Sequence, residues 1–260
     1  MKNITAWFDE YTEGFIKHEK TAGCPLRLRI EHSRTVAKEI VDIASKNGFS
    51  KHEQFLAECV GLLHDIGRFE QYKEYRTFND RLSANHALIG LKVLSCSTAL
   101  NELEPGDRKI VLKAVELHNA KQIPDNLSLE EKTFARLIRD ADKIDIFRIV
   151  IDYYGTMHTG RNEAIELDLP DTPGFTEGII NDLLAGELAD YSMLQTLNDF
   201  KLVQMSWVHD LNFPRSFEIF AERKYLDKLY SFLPKNERVS RIYEIAQAKV
   251  KSGALAKSST

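Results

Sequence analysis

Apolar residues recur at helical spacing along nearly the whole chain, whereas strict apolar/polar alternation over four or more residues is rare and turn signals are sparse. That pattern predicts an all-α protein. The apolar stripes place helices at about 3–19, 25–47, 51–66, 83–100, 106–120, 128–155, 174–186, 190–209, 213–233 and 236–252. Breaks fall where backbone chemistry favours them. Gly23 and Pro25 separate the first two helices, and Asn47-Gly48 stops the second as a left-handed cap would. Pro105-Gly106, Pro124, and Pro170 with Pro173-Gly174 mark further breaks. Residues 155–174 carry no apolar stripe; they are expected to form a loop over an opening or a boundary before a C-terminal helical portion. The expected organisation is one all-α domain over 1–260.

Several polar residues sit on these apolar stripes. Leu28, Val36, Ile40 and Ile43 share one helix face, and His32 lies in line with them at the i+4 step. Leu56, Val60 and Leu63 lead to His64, with Asp65 about 100° further round. Adjacent residues on a regular helix cannot share a direction, so this pair suits a groove where a helix end meets other helices. His86 shares a stripe with Ile89, Gly90, Val93 and Leu94, and His118 follows Val111, Ala114 and Val115. In RLIRDADKIDIFRIV, Asp142 lies on the row of Ala135, Ile138, Ile146 and Ile149, with Asp140 and Asp145 turned away.

Singly, each has an ordinary explanation. An inward His is commonly a hydrogen-bonded core residue, and an inward Asp a structural ion pair. An isolated buried carboxylate nevertheless costs on the order of several kcal/mol unless it is paired or bound to metal. Five helices each presenting an inward imidazole or carboxylate change that balance. If they converge, four His and two Asp make a ligand set for one or two divalent ions, better suited to Fe, Mn, Co, Ni or Zn than to Mg alone. The other histidines serve as controls. His18 and His52 lie near helix ends among charges, His158 in the expected loop, and His209-Asp210 repeats the dipeptide without companions.

Composition narrows the partners. With 260 residues, 43% hydrophobic and 28% charged, the chain can bury a sizeable core. A formal net charge of -4 gives no footprint for nucleic acid or an anionic membrane, although a local basic pocket stays open. Cys24, Cys59 and Cys96 are an odd set without a C-x-x-C pair, as expected of idle thiols in a reducing compartment. The N-terminus carries acids where a signal peptide needs an apolar core, and no apolar run approaches the roughly 18 residues of a membrane span. A cytoplasmic location is expected.

The ordered set of residues resembles the HD-domain superfamily of metal-dependent phosphohydrolases. The pattern is a His on one helix (EHSRTVAKEI, His32), an adjacent His-Asp after an apolar run (GLLHDIGRF, His64 and Asp65) and a distant Asp (RDADKIDIFR, Asp142). NHALIGLKVL (His86) and VELHNAKQIP (His118) look like the two additional histidines of members that hold two metals. The likeness spans roughly 25–155, the metal-binding core it implies, with 175–255 as a helical extension packed on that core. The H-H-E and G-Y-P signatures of HD-type cyclic dinucleotide phosphodiesterases are missing, which disfavours that activity.

The resemblance implies that Asp65 bridges two ions, that His32, His64 and Asp142 complete one, and that His86 and His118 complete the other. A metal-activated water would then attack phosphorus. Asp65, Arg68 and Lys143 are the candidate catalytic residues, and Arg76, Asn79, Arg81 and Asn85 the candidate substrate rim. For Arg68 the competing reading is a salt bridge with Glu70 or Glu74, and Asp145 is a candidate for orienting a ligand imidazole. The reading that follows is hydrolysis of a phosphoester or phosphoanhydride in a nucleotide-like, anionic small molecule. Alternatives are an HD-type di-iron oxygenase acting on a small polyol or phosphonate, and a non-catalytic regulatory module stabilised by metal.

Overall fold

Helices begin where the sequence supplies acceptors for their first amide groups. Ser50 and Glu53 form a reciprocal capping box, Asn85 and Asn236 cap two further helices through their side chains, and Pro105 occupies a first helical turn. The computed structural model describes residues 1–17, 25–156, 163–166 and 169–256, and these contain helices and no strand. In chain order they are α1 (Lys2–Ile16), α2 (Pro25–Lys46), α3 (Lys51–Leu63), α4 (Gly67–Tyr75), α5 (His86–Ser95), α6 (Pro105–Leu117) and α7 (Leu129–Thr156). Then follow α8 (Glu163–Glu166), α9 (Glu177–Leu184), α10 (Leu197–Ser206), α11 (Pro214–Glu222), α12 (Tyr225–Ser231) and α13 (Glu237–Leu255). His18, Cys24, His158 and parts of the expected 155–174 loop lie outside the described residues.

The all-α expectation holds; the helix expected over 83–100 covers only His86–Ser95, α8 falls within the stretch expected to be a loop, and three further elements differ from the periodicity. The helix expected to reach 66 stops at Leu63, and α4 begins at Gly67 after a short turn. Residues 213–233 split into α11 and α12 because Lys224 takes a left-handed conformation, φ 53°. The expected helix at 190–209 contracts to α10, flanked by 3₁₀ turns at Tyr191–Met193 and Trp207–Asp210.

The chain divides into two compact units, Met1–Asp145 and Ile146–Thr260, with α7 crossing the boundary. In the first unit α2 packs on α3, α5 on α4 and α6, and α3 on α6. Val36, Ile40, Ile43, Leu56, Val60, Leu63, Phe69, Val111 and Val115 are buried among them, with Phe134 and Ile138 from α7. Two glycines of this unit allow backbone to approach backbone closely. A Cβ on Gly61 would lie 2.7 Å from Ala37 Cα, and one on Gly67 would lie 2.1 Å from His86 O and 2.5 Å from Gly90 N. The first contact draws the α3 end toward the His32 helix, and the second draws the turn after Asp65 toward His86.

In the second unit α13 packs on α9 and α11, and α9 on α10. Phe147 meets Trp207, Phe220 and Tyr225, with ring centroids 5.9, 4.7 and 5.7 Å away. Among the described residues Cys59 is buried and Cys96 exposed, and no helix is long and apolar enough to cross a membrane.

Candidate metal centre

The first unit brings all six inward polar residues together. Among the described residues, His32, His64 and Asp142 form one group, and Asp65, His86 and His118 a second; within each, the ligand atoms lie within 4.8 Å of one another. The break between α3 and α4 answers the problem of two adjacent ligands. His64 is the residue after α3 and Asp65 lies in the turn, so the two side chains leave in different directions. His118 occupies the equivalent position after α6.

Both of these capping histidines donate Nδ1–H to the carbonyl three residues back: His64 to Gly61 O at 2.9 Å, His118 to Val115 O at 2.7 Å. A carbonyl only accepts, so each ring carries its proton on Nδ1, and a carbonyl left over at a helix end gains a partner. His32 Nδ1 faces Asp145 Oδ2 at 2.7 Å, as expected for Asp145, and His86 Nδ1 faces Asp80 Oδ2 at 2.7 Å. With all four Nδ1 atoms turned outward to acceptors, all four Nε2 atoms turn inward. His32 Nε2 lies 3.2 Å from His64 Nε2, and His86 Nε2 lies 2.9 Å from His118 Nε2.

Asp65 stands between the groups. Its Oδ1 is 3.3 Å from His86 Nε2 and 3.6 Å from His118 Nε2, while its Oδ2 is 3.9 Å from His32 Nε2. Asp142 Oδ1 is 3.0 Å from His32 Nε2 and 3.6 Å from His64 Nε2. Burial alone would raise the Asp65 carboxyl, but the Arg68 guanidinium with His64, His118 and His86 holds it well below the usual carboxylate range. Burial is likewise outweighed at Asp142 by bonds from His32 and His64. Burial disfavours charge on His32, yet its bonds to Asp142 and Asp145 push the ring up to about 9. His86 goes the other way: burial and the Arg68 guanidinium bring it down to about 4 against the pull of Asp80 and Asp65.

These residues fit a metal. In the second group the Nδ1 atoms of His86 and His118 each face an acceptor, so their Nε2 atoms and Asp65 Oδ1 converge on one spot. Such a set is repulsive until a cation sits in it. In the first group the carboxylates of Asp142 and Asp145 around His32 create a demand for positive charge that a proton or a divalent ion meets.

The cations around the centre are arranged differently from the sequence-based expectation. Arg68 turns to Asp65, its Nε 3.4 Å from Oδ1, and its Nη1 donates to Gln71 Oε1, Phe78 O and Asp80 Oδ1 at 2.9, 2.6 and 3.0 Å. Glu70 pairs instead with Lys73. Arg29, one turn ahead of His32, donates to Asp65 Oδ2 at 3.4 Å and stacks over the Phe78 ring at 4.6 Å. Lys143 Nζ donates to Arg139 O, one turn back along α7. Arg76 closes α4 in a left-handed conformation over Tyr72. Asn79 Oδ1 accepts the Arg81 backbone N–H, and Asn85 Oδ1 caps α5 through Ala87 N and Leu88 N. Arg29, Asp80, Gln71 and Asn119 escape the sequence reading. Arg29 alone had a signal there, its position three residues before His32 on the same helix face.

Residues 29–146 match the family model of the HD domain, and no curated protein or solved structure gives a significant match to the chain. The matched segment contains every residue of both groups together with Arg29, Arg68, Asp80 and Asp145. Residues 29–146 are thus similar to the HD domain, a domain of metal-dependent hydrolases, and both ligand groups lie within that stretch.

Proposed function

We propose that the chain is a phosphohydrolase that cleaves a phosphoester or phosphoanhydride of a nucleotide-like small molecule. One observation carries this reading. Two ligand groups lie on either side of the Asp65 carboxylate, whose Oδ1 is nearest His86 and His118 and whose Oδ2 is nearest His32, and that carboxylate is flanked by the guanidiniums of Arg29 and Arg68. His32, His64 and Asp142 would hold one divalent ion and His86 and His118 the other, with Asp65 bridging. When bound, such ions supply Lewis acidity toward phosphoryl oxygens and a water of lowered pKa.

The protein's own contribution is orientation and charge. Gly61 O, Val115 O, Asp145 and Asp80 each accept from one imidazole Nδ1 and so orient the four rings before a ligand is engaged. The side chains of Asp142, Arg29 and Arg68 are 19, 22 and 14% exposed, and these mark the side from which a substrate arrives. Arg29, held against the Phe78 ring, is placed to donate to phosphoryl oxygens, and Arg68 keeps Asp65 and the 76–85 segment in register. Arg76 and Arg81 in that segment extend the cationic rim.

The test is a panel of phosphomonoesters, phosphodiesters and nucleoside di- and triphosphates, incubated with protein loaded with Mn, Fe, Co, Ni or Zn. Release of phosphate, pyrophosphate or nucleoside from a member of the panel is expected. Failure across the panel, with oxygen consumption by the iron-loaded protein on a polyol or phosphonate, would replace this reading with the oxygenase.

A further inference from the structure

The two groups differ in what stands behind their ligands. His32 is backed by Asp145, fully buried on α7. His86 is backed by Asp80, in the segment between α4 and α5, with a side chain 31% exposed. Asp80 Oδ1 and Oδ2 lie 2.9 and 2.7 Å from His86 Nδ1. The same carboxylate accepts from Arg68 Nη1 at 3.0 Å, Gln71 Nε2 at 2.8 Å and Asn119 Nδ2 at 3.2 Å. One loop side chain thus joins α4, the start of α5 and the turn after α6. Gln71 Nε2 ties the loop down further at Ser83 Oγ and Ala84 O, 2.9 and 3.0 Å away.

We infer that Asp80 is the positioning residue of the second group: it holds His86 with its proton on Nδ1 and its Nε2 lone pair toward Asp65 and His118, and so sets the metal affinity of that group and not of the first. The inference rests on the reading that Asp65, His86 and His118 hold an ion. A carboxylate accepting the second N–H of a ligand imidazole fixes the ring's tautomer and orientation and raises its basicity. Losing such a partner typically weakens metal binding about 10–100-fold. Asp80→Asn keeps the shape and removes the charge; its amide group can also turn an N–H toward His86 Nδ1, which favours the wrong tautomer.

The experiment uses the full chain, stripped by a chelator and titrated with Zn²⁺ or Mn²⁺ alone against a chromophoric competitor, with metal content read after dialysis. Circular dichroism and thermal unfolding report whether each variant is folded. Asp80→Asn is expected to weaken the second equivalent about 10–100-fold and to leave the first within about twofold. Asp145→Asn is expected to do the reverse, because it stands behind His32. Two binding equivalents unchanged in Asp80→Asn, or both weakened alike, would overturn the assignment of Asp80. A wild-type chain that takes up no second ion would instead remove the underlying ligand reading and this inference with it. If Asp80→Asn does not fold, the wild type decides. A charge-assisted bond of 2.7 Å should give the His86 Nδ1 proton a far-downfield, slowly exchanging NMR signal, and a fast-exchanging proton there overturns the proposal.

Discussion

Asp65 sends one oxygen to each group, Oδ1 toward His86 and His118 and Oδ2 toward His32. On the proposed reading, a carboxylate so placed would serve two ions at once, and its loss could not be confined to one. Asp65→Ala should therefore abolish activity and release both metals, measured as metal per chain after dialysis; two tightly held ions in that variant would contradict the bridging role. His86→Ala and His118→Ala should lose one ion and largely keep the other. Arg29 presents a second residue-scale case. Its part-buried guanidinium lies beside Asp65, and a hydrogen bond to a charged group is worth about 1.5–3 kcal/mol. Arg29→Ala should lower kcat/KM for a phosphorylated substrate roughly 10–150-fold with two metals retained; an unchanged kcat/KM would place the substrate elsewhere.

The four histidines were legible in the sequence because each lies on an apolar stripe, and a polar residue on a buried face must find a partner; Asp65 came as the neighbour of His64, and Asp142, expected inward with Asp140 and Asp145 turned away, is the most exposed of those three. Of the residues behind the histidines, Asp145 was legible beside Asp142 and the rest were not. Asp80 and Asn119 sit in loops, where no period relates sequence position to direction, and Asp80 meets His86 only because Arg68, Gln71 and Asn119 fold the segment onto it. Arg68 lies beside Asp65, but its Nη1 also bonds to Phe78 O and Asp80, partners that no helical period relates to it.

At the scale of elements, two helix pairs each supply two facing imidazoles. His32 and His64 come from α2 and the end of α3, His86 and His118 from the start of α5 and the end of α6. Periodicity gave these helices. It did not give α4, a short helix with a weak apolar stripe that begins only because the chain turns after Asp65. Nor could it give the backbone contacts that set the spacing, because a glycine on a helix carries no apolar signal. Gly67 is the sharper of these. An alanine there meets the carbonyl of His86 and the amide of Gly90, which are backbone atoms and cannot swing away. Overpacking of this kind costs about 1–3 kcal/mol or more, against the roughly 1 kcal/mol that Gly→Ala gains inside an open helix. Gly67→Ala should lower the unfolding midpoint and weaken metal uptake by the second group, while Gly106→Ala, with nothing within 4 Å of its Cβ, should keep or slightly raise the midpoint and leave metal uptake unchanged. Equal midpoints for the two variants would show that α4 and α5 separate at no cost.

For the whole molecule, net charge and local charge point in different directions. The formal balance of -4 gives no reason to expect an anionic substrate, yet Arg29 and Arg68 flank the carboxylate at the centre of the site. Inside that ring the groups run the other way, with Asp65, Asp80, Asp142 and Asp145 set around four imidazoles. A divalent ion that neutralises them binds the folded first unit and not its unfolded chain, so it stabilises that unit by mass action, by about 2.7 kcal/mol per site at a hundredfold excess over Kd. The chain's two tryptophans allow this to be read locally, since Trp7 stacks on Tyr11 in the first unit and Trp207 packs on Phe147 in the second. In Trp207→Phe, the denaturation midpoint reported by Trp7 fluorescence should rise on adding Zn²⁺ or Mn²⁺ and fall again with chelator. The same titration in Trp207→Phe combined with Asp65→Ala should show no rise, because the oxygens shared by the two groups are gone. A midpoint indifferent to metal in the parent variant would mean that the six ligands do not bind an ion at these concentrations, whatever their convergence.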